Sequence, residues 1–176
     1  MISITDYIKS YENILTPEIC KKIIKEDGDS FEAAVVSDGT VSPYRNCHIK
    51  DLDEKFDSIL FQSIAKIIKL YEKDFNHFTT GLGCEDTGYE HLWYKGGEKG
   101  EYKEHVDHYD LNPRVLSCSI ILNDDYTGGD FSFFKGEYVV PKKTGSAVVF
   151  PSNFCFPHSI TPVSEGDRHS IITWIR

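Results

Sequence analysis

The stretch 146-SAVVFPSNFCFPHSITPVSEGDRHSIITWI-175 holds three short apolar runs, 146–150, 154–159 and 168–175, parted by Pro, Ser, Asn, Gly and Asp. Runs of this length, rich in Val, Ile, Phe and Trp and bounded by turn-forming residues, read as β-strands. The pattern continues backward through 137-EYVV-140, 130-DFSFF-134, 114-RVLSCSIIL-122, 101-EYKEHV-106 and 89-YEHLWY-94. Lys135-Gly136 would close a tight hairpin between two of them. Many short strands in succession predict a barrel or jelly roll rather than a parallel sheet.

Upstream the chain reads as helical. Thr16-Pro17-Glu18 combines an N-cap, a proline at the first helical position and an acid in the first turn; Ile19, Ile23 and Ile24 then share a face. From about Asp53 to Phe75, the residues Phe56, Ile59, Leu60, Ser63, Ile64, Ile67, Ile68 and Tyr71 recur at helical spacing, so this helix needs a sheet to cover its apolar stripe. Between the helices 31-FEAAVV-36 reads as a strand and 37-SDGTVSPYRN-46 as a loop. The expected fold class is α+β, mainly β: a double-stranded β-helix (jelly roll) with N-terminal helices packed on one face. One domain is expected over 1–176, with helical support and a lid loop in 1–80 and a jelly-roll catalytic core in 81–176.

The chain has 176 residues and a formal net charge of -9, from 28 acidic and 19 basic side chains. Such a balance disfavours nucleic acid, which calls for a basic face. No apolar run reaches membrane-spanning length, and the N-terminus lacks a signal-peptide core. Five cysteines without a CxxC pair read as reduced thiols. A cytoplasmic protein, monomeric or weakly homo-oligomeric, is expected.

Chemistry concentrates in 103-KEHVDHYD-110. In an extended segment His105 and Asp107 point the same way, with Val106 opposite. One imidazole and one carboxylate are two parts of the two-histidine, one-carboxylate set that holds non-haem Fe(II) with open positions. Alone the pair is weak, since His-x-Asp occurs often by chance. His158, in an apolar strand downstream, is the candidate third ligand, although a lone histidine is more often a satisfied, half-buried residue. Arg168 and Ser170 share a face of the last strand, where guanidinium and hydroxyl could clamp the carboxylate of an anionic cosubstrate; the plainer reading of Arg168 is a surface residue. His108 and Asp110 read as rim or loop residues. His48, His77, His91 and His169 lack partners at ligand spacing. The acidic 123-NDDYTGGD-130 lacks a calcium-loop pattern and reads as a turn.

His105-x-Asp107, His158 and Arg168 ten residues on together resemble the Fe(II)/2-oxoglutarate-dependent dioxygenases. The wording of 128-GGDFSF-133, 141-PKKTGSAVVFPS-152 and 158-HSITPVSEGDRHSIITWI-175 resembles the prolyl 4-hydroxylase branch. The resemblance covers residues 89–176 well and the N-terminal half loosely. It implies iron held by His105, Asp107 and His158. It also implies 2-oxoglutarate held by Arg168 with Ser170 and Tyr94 or Tyr102, O2 as oxidant and ascorbate as a reductant. It further implies hydroxylation of a C–H bond, with a proline-containing peptide or protein as first choice of substrate, and release of succinate and CO2. Trp174 takes a position that lines the substrate side, and Tyr44 and Arg45 on the 37–46 loop would touch substrate if that loop is a lid. Other readings stay open: the same chemistry on a free amino acid, small metabolite or N-alkylated base; a silent jelly-roll binding module; or a zinc or nickel hydrolase or isomerase, which leaves the Arg168 clamp unexplained.

Overall fold

A computed structural model of the chain describes residues 3–36, 38–77, 84–108 and 113–176. In order, the elements are β1 (Lys9–Tyr11), α1 (Pro17–Glu26), β2 (Glu32–Ala33), β3 (Arg45–Asn46), β4 (His48–Asp51), α2 (Asp57–Asp74), β5 (Glu90–Lys95), β6 (Glu101–His105), β7 (Leu116–Ile121), β8 (Thr127–Gly128), β9 (Phe131–Phe133), β10 (Tyr138–Val139), β11 (Ala147–Pro151), β12 (His158–Ile160), β13 (Val163–Glu165) and β14 (Asp167–Ile175).

The strands form a seven-stranded sheet in the order β1-β11-β7-β14-β5-β4-β2 and a five-stranded sheet in the order β10-β9-β12-β6-β3, with β13 and β8 paired at one end. Every pairing is antiparallel. This is the expected jelly roll, with both helices against the large sheet.

Helix α1 begins where the sequence places it: the Thr16 hydroxyl accepts the Ile19 N–H at 3.3 Å and Pro17 is the first helical residue. Helix α2 buries Leu60, Ser63, Ile64, Ile67 and Tyr71, the stripe that its periodicity predicts. The stripe meets Leu116, Cys118 and Ile120 of β7, Val149 of β11, and Ile171 and Ile175 of β14. Each fully buried Leu or Ile side chain there stabilises the fold by about 1.5–3 kcal/mol.

Because strand side chains alternate, the opposite faces of these same strands build a second core between the two sheets. It contains Leu92, Tyr94, Phe131, Phe133, Phe150, Ile160, Ile172 and Trp174. On β14 the alternation sends Arg168, Ser170, Ile172 and Trp174 inward, whereas His169, Ile171, Thr173 and Ile175 face the other side. None of the five cysteines is bonded to another.

The structure differs from the sequence reading in the segment expected to be a loop. Val35 bridges to Val41, Arg45-Asn46 pairs with Tyr102 and Glu101 as the edge of the small sheet, and His48–Asp51 pairs with β5. The expected loop therefore ends in a strand, β3, with β4 directly after it, and its Arg45 lines the space between the sheets. The run expected at 154–159 is also mostly turn; its strand starts at His158, and Phe154 is 81% exposed.

Candidate active site

His105 closes β6 and His158 opens β12, and the two are directly paired across the antiparallel ladder. Asp107 lies two residues beyond His105. Its Oδ1 is 3.6 Å from the Nε2 of His105 and 3.6 Å from the Nε2 of His158. One ligand atom from each of the three residues lies within 4.8 Å of the others, and among the described residues no other group of three His, Cys, Asp or Glu gathers this closely.

The backbone sets which nitrogen of each ring is free. His105 Nδ1 is 2.8 Å from the Lys103 carbonyl, and His158 Nδ1 is 3.0 Å from the Phe156 carbonyl. A carbonyl accepts only, so each Nδ1 carries a proton, and Nε2 is the nitrogen that each ring turns toward Asp107 as a possible metal ligand. Burial, and then the neighbouring His158, push the His105 pKa down to about 3, so its ring stays neutral. Burial works to raise the Asp107 carboxyl, but His158, His105 and the Ser117 hydroxyl outweigh it and hold the group below its usual value. Ser117 Oγ donates to Asp107 Oδ2 at 2.7 Å and is itself 2.8 Å from Ser152 Oγ. The Trp174 indole N–H is near enough to Asp107 to lower its pKa, yet it makes no hydrogen bond of ordinary geometry.

Two imidazoles and a carboxylate, with Nδ1 and Oδ2 already committed to the protein, are a donor set that fits a divalent first-row metal and leaves part of its coordination sphere to other ligands.

Arg168 opens onto the same pocket. It is 2% exposed, donates from Nη1 to Ser170 Oγ at 2.9 Å, and holds its guanidinium 5.0 Å from the Tyr94 ring centroid. Tyr94 is its cross-strand partner on β5. No carboxylate among the described residues lies in ion-pair range of Arg168, and its Nε has no hydrogen-bond partner. A buried guanidinium with neutral partners only is costly unless an anion joins it. The donor set and this orphaned cation together fit a chelating dicarboxylate whose far end reaches Arg168.

The other sequence candidates fall differently. Tyr102 lines the pocket but stacks on His105, with ring centroids 3.5 Å apart, and carries the Arg45 guanidinium 4.9 Å from its ring centroid. Tyr94, not Tyr102, is the tyrosine beneath Arg168. Trp174 and Arg45 line both this pocket and its mouth. Tyr44 lines neither; its hydroxyl donates to the Glu104 carbonyl and its ring meets Tyr102 edge-on. His108 sits on the mouth, and Asp110 lies outside the described residues. His48 pairs with Glu98, His77 is exposed, and His91 and His169 join a buried chain to Asp27 behind the large sheet.

Sequence reasoning missed Ser117, Arg114 and Glu90. Ser117 and Ser119 carried a readable signal, being polar residues two apart in an otherwise apolar strand. Arg114 and Glu90 carried none, because only the fold brings them to the mouth.

Residues 90–176 match the family model described as the 2OG-Fe(II) oxygenase superfamily. A 65-residue stretch is 40% identical to a PKHD-type hydroxylase of Alteromonas mediterranea, covering 35% of this chain and 28% of that relative. The match thus spans little more than a quarter of the curated relative's length. Among solved structures, the fold is similar to a prolyl hydroxylase of Trichoplax adhaerens in complex with a hypoxia inducible factor peptide fragment (TM-score 0.77, 16% identity, 97% of this chain and 84% of that one). It is also similar to a prolyl-4-hydroxylase of Pseudomonas putida (0.70, 22%, 97% and 92%) and to a viral collagen prolyl hydroxylase of Paramecium Bursaria Chlorella virus-1 in its 2OG complex (0.72, 17%, 97% and 96%). At these identities the likeness is one of fold. Among the described residues no helix is long and apolar enough to cross a membrane.

Proposed function

Because this chain belongs, through residues 90–176, to the 2OG-Fe(II) oxygenase superfamily and is prolyl 4-hydroxylase-like, we propose that it hydroxylates an unactivated C–H bond of a peptidyl proline. Succinate and CO2 are the coproducts. His105, Asp107 and His158 hold the metal. Arg168 holds the far carboxylate of 2-oxoglutarate. The observation that carries the reading is the meeting, in one pocket, of a three-residue metal cluster and a buried arginine that lacks a counter-ion.

Iron(II) with 2-oxoglutarate and O2 supplies the oxidising power for the hydroxylation. The protein supplies position and dryness. The carbonyls of Lys103 and Phe156 fix the two ring tautomers, and Ser117 holds Asp107 so that Oδ1 faces both rings. Ser170 aligns the Arg168 fork and Tyr94 backs its face, so the cosubstrate meets a preformed clamp. Leu92, Phe131, Ile160 and Ile172 give the pocket apolar walls.

The test is an anaerobic titration with Fe(II) and 2-oxoglutarate, followed by oxygen and a panel of proline-containing peptides. The expected result is stoichiometric succinate and a peptide mass gain of one oxygen atom. Succinate formation without any modified peptide would end the peptidyl-proline assignment, and iron binding without 2-oxoglutarate decarboxylation would favour a silent binding module.

A further inference from the structure

The chain contains only four arginines, at 45, 114, 168 and 176, against fifteen lysines. Three of the four stand at the pocket or its mouth. Six buried side-chain atoms among the described residues lack a hydrogen-bond partner, and three of them are the Nε atoms of Arg45, Arg114 and Arg168. Arg168 is accounted for by the cosubstrate. The other two are not.

Arg45 and Arg114 flank the mouth, a space that shares Arg45, Tyr102, Asp107 and Trp174 with the inner pocket. Each guanidinium lies on an aromatic face: Arg45 is 4.9 Å from the Tyr102 centroid and Arg114 is 3.5 Å from that of Trp174. Each spends one N–H on a backbone carbonyl, Arg45 on Val35 at 3.0 Å and Arg114 on Asp107 at 3.3 Å. Neither has a carboxylate in ion-pair range among the described residues.

Charge counting separates their role from that of Arg168. A divalent metal, the Asp107 carboxylate, Arg168 and a 2-oxoglutarate dianion cancel one another. Among the described residues that line the mouth, Arg45 and Arg114 are then opposed by Glu90, whose carboxyl is pushed up by burial even against the pull of Arg45 and Arg114. The loaded site therefore keeps a net positive mouth in a chain of net charge -9. Half-buried positive charge of this kind favours an acceptor brought by the ligand.

We infer that Arg45 and Arg114 form a carboxylate clamp for the substrate, so that the group hydroxylated lies close to a carboxylate. This inference rests on the dioxygenase reading above and adds the substrate's charge to it. The carboxylate has two possible sources: an Asp or Glu side chain beside the target residue in a peptide, or the α-carboxylate of a C-terminal or free amino acid. Val35, Val41, Tyr44 and Val106 are large apolar residues exposed on the segments that bear or adjoin this wall, a surface that favours a peptide.

The experiment measures binding and turnover separately. The wild-type protein, loaded anaerobically with Fe(II) and 2-oxoglutarate, is titrated calorimetrically with an Asp-Pro peptide, its Asn-Pro isostere, a peptide ending in proline, and free proline. The acidic peptide should bind roughly 10- to 100-fold more tightly than its isostere. The gap should collapse in Arg45→Gln and in Arg114→Gln and be partly kept in Arg45→Lys and Arg114→Lys. If instead the C-terminal or free proline gains the arginine-dependent affinity, the clamp stands and its source is an α-carboxylate. Equal binding and equal hydroxylation of acidic and neutral peptides would overturn the clamp and leave the dioxygenase reading intact. Arginine-dependent binding of carboxylates with no peptide hydroxylated would leave the clamp and overturn the peptidyl substrate. No carboxylate-dependent binding of any kind would overturn the clamp outright. The comparison within the wild-type protein decides even if an arginine variant fails to fold.

Discussion

His105 and His158, 53 residues apart in sequence, are direct cross-strand partners on β6 and β12, and both turn Nε2 toward one oxygen of Asp107. The pairing places the ring of one strand beside the ring of the next, with centroids 4.2 Å apart. The cluster is thus set by strand register. A slip of one residue in either strand would turn one imidazole to the opposite face.

Removing either ring should therefore abolish turnover while leaving the sheets intact. In His105→Ala and His158→Ala, Fe(II) titration should show loss of the tight site, and far-ultraviolet circular dichroism should be unchanged. Iron-dependent succinate formation surviving in either variant would exclude that residue as a ligand.

Ser117 makes no contact with a metal in this arrangement, but its hydroxyl holds Asp107 Oδ2 at 2.7 Å. Ser117→Ala leaves that oxygen free to rotate toward the cluster. Metal affinity should fall roughly 10- to 100-fold, as for other residues that orient a ligand. Unchanged affinity by competition with a chelator would show that Ser152 and packing hold Asp107 on their own.

Arg168→Ala should act on the cosubstrate and spare the metal. Losing a buried charged hydrogen-bond partner costs about 2–5 kcal/mol, read as a higher KM for 2-oxoglutarate. Arg168→Lys should recover little, because an ammonium cannot present two parallel N–H groups to a carboxylate. Cosubstrate affinity equal to wild type in Arg168→Ala would remove this residue from the role.

The sequence made legible whatever follows from alternation and from helical period. Strands β5, β6, β7 and β14 and both helices lie within a few residues of their expected bounds, because their apolar runs are long enough to define a buried face. Short edge strands escaped. Arg45-Asn46 follows Pro43 and reads as turn chemistry; it is a strand only because β6 offers it hydrogen bonds. The same tertiary origin hid Arg114 and Glu90, which share a wall although 24 positions separate them. Tyr102, the alternative to Tyr94 beside the cosubstrate, shares strand β6 with His105, stacks on its ring and lines both the inner pocket and the mouth.

Behind the large sheet, Asp27, His91 and His169 form a chain: His91 Nδ1 is 2.7 Å from Asp27 Oδ2, and His91 Nε2 is 3.1 Å from His169 Nδ1. Lys50 also approaches Asp27, at 3.5 Å. Burial, then the adjacent His91, lower the His169 pKa from 6.5 to about 4. A histidine depressed by folding is more protonated in the unfolded chain, so its stabilising effect is complete above pH 6.5 and is lost as pH falls toward 4. Burial of Asp27 is outweighed by hydrogen bonds from His91 and the Asp53 backbone, which leave its pKa lowered. Its contribution is present above the ordinary carboxyl value of about 3.9 and is lost below it. Both effects run the same way. Urea midpoints should decline steadily from pH 6.5 downward, and His169→Gln should flatten the upper part of that slope. A wild-type midpoint independent of pH between 6.5 and 4 would contradict the assignment.

Gly129 has φ +60, and a Cβ there would lie 2.9 Å from Val163 Cγ2, 3.0 Å from Tyr126 Cε2 and 3.2 Å from Arg168 Cδ. Gly129→Ala therefore adds crowding to left-handed backbone, and the crowded atoms include the stem of the cosubstrate clamp. Stability should fall by about 1–3 kcal/mol, and the KM for 2-oxoglutarate should rise as Arg168 is displaced. Gly39 provides the control: its φ is +80 and nothing lies within 4 Å of the point that a Cβ would take. Gly39→Ala should cost only the backbone strain and leave the cosubstrate KM as in wild type. A KM shift of equal size in both variants would show that the Gly129 turn supports Arg168 no more than any other loop does.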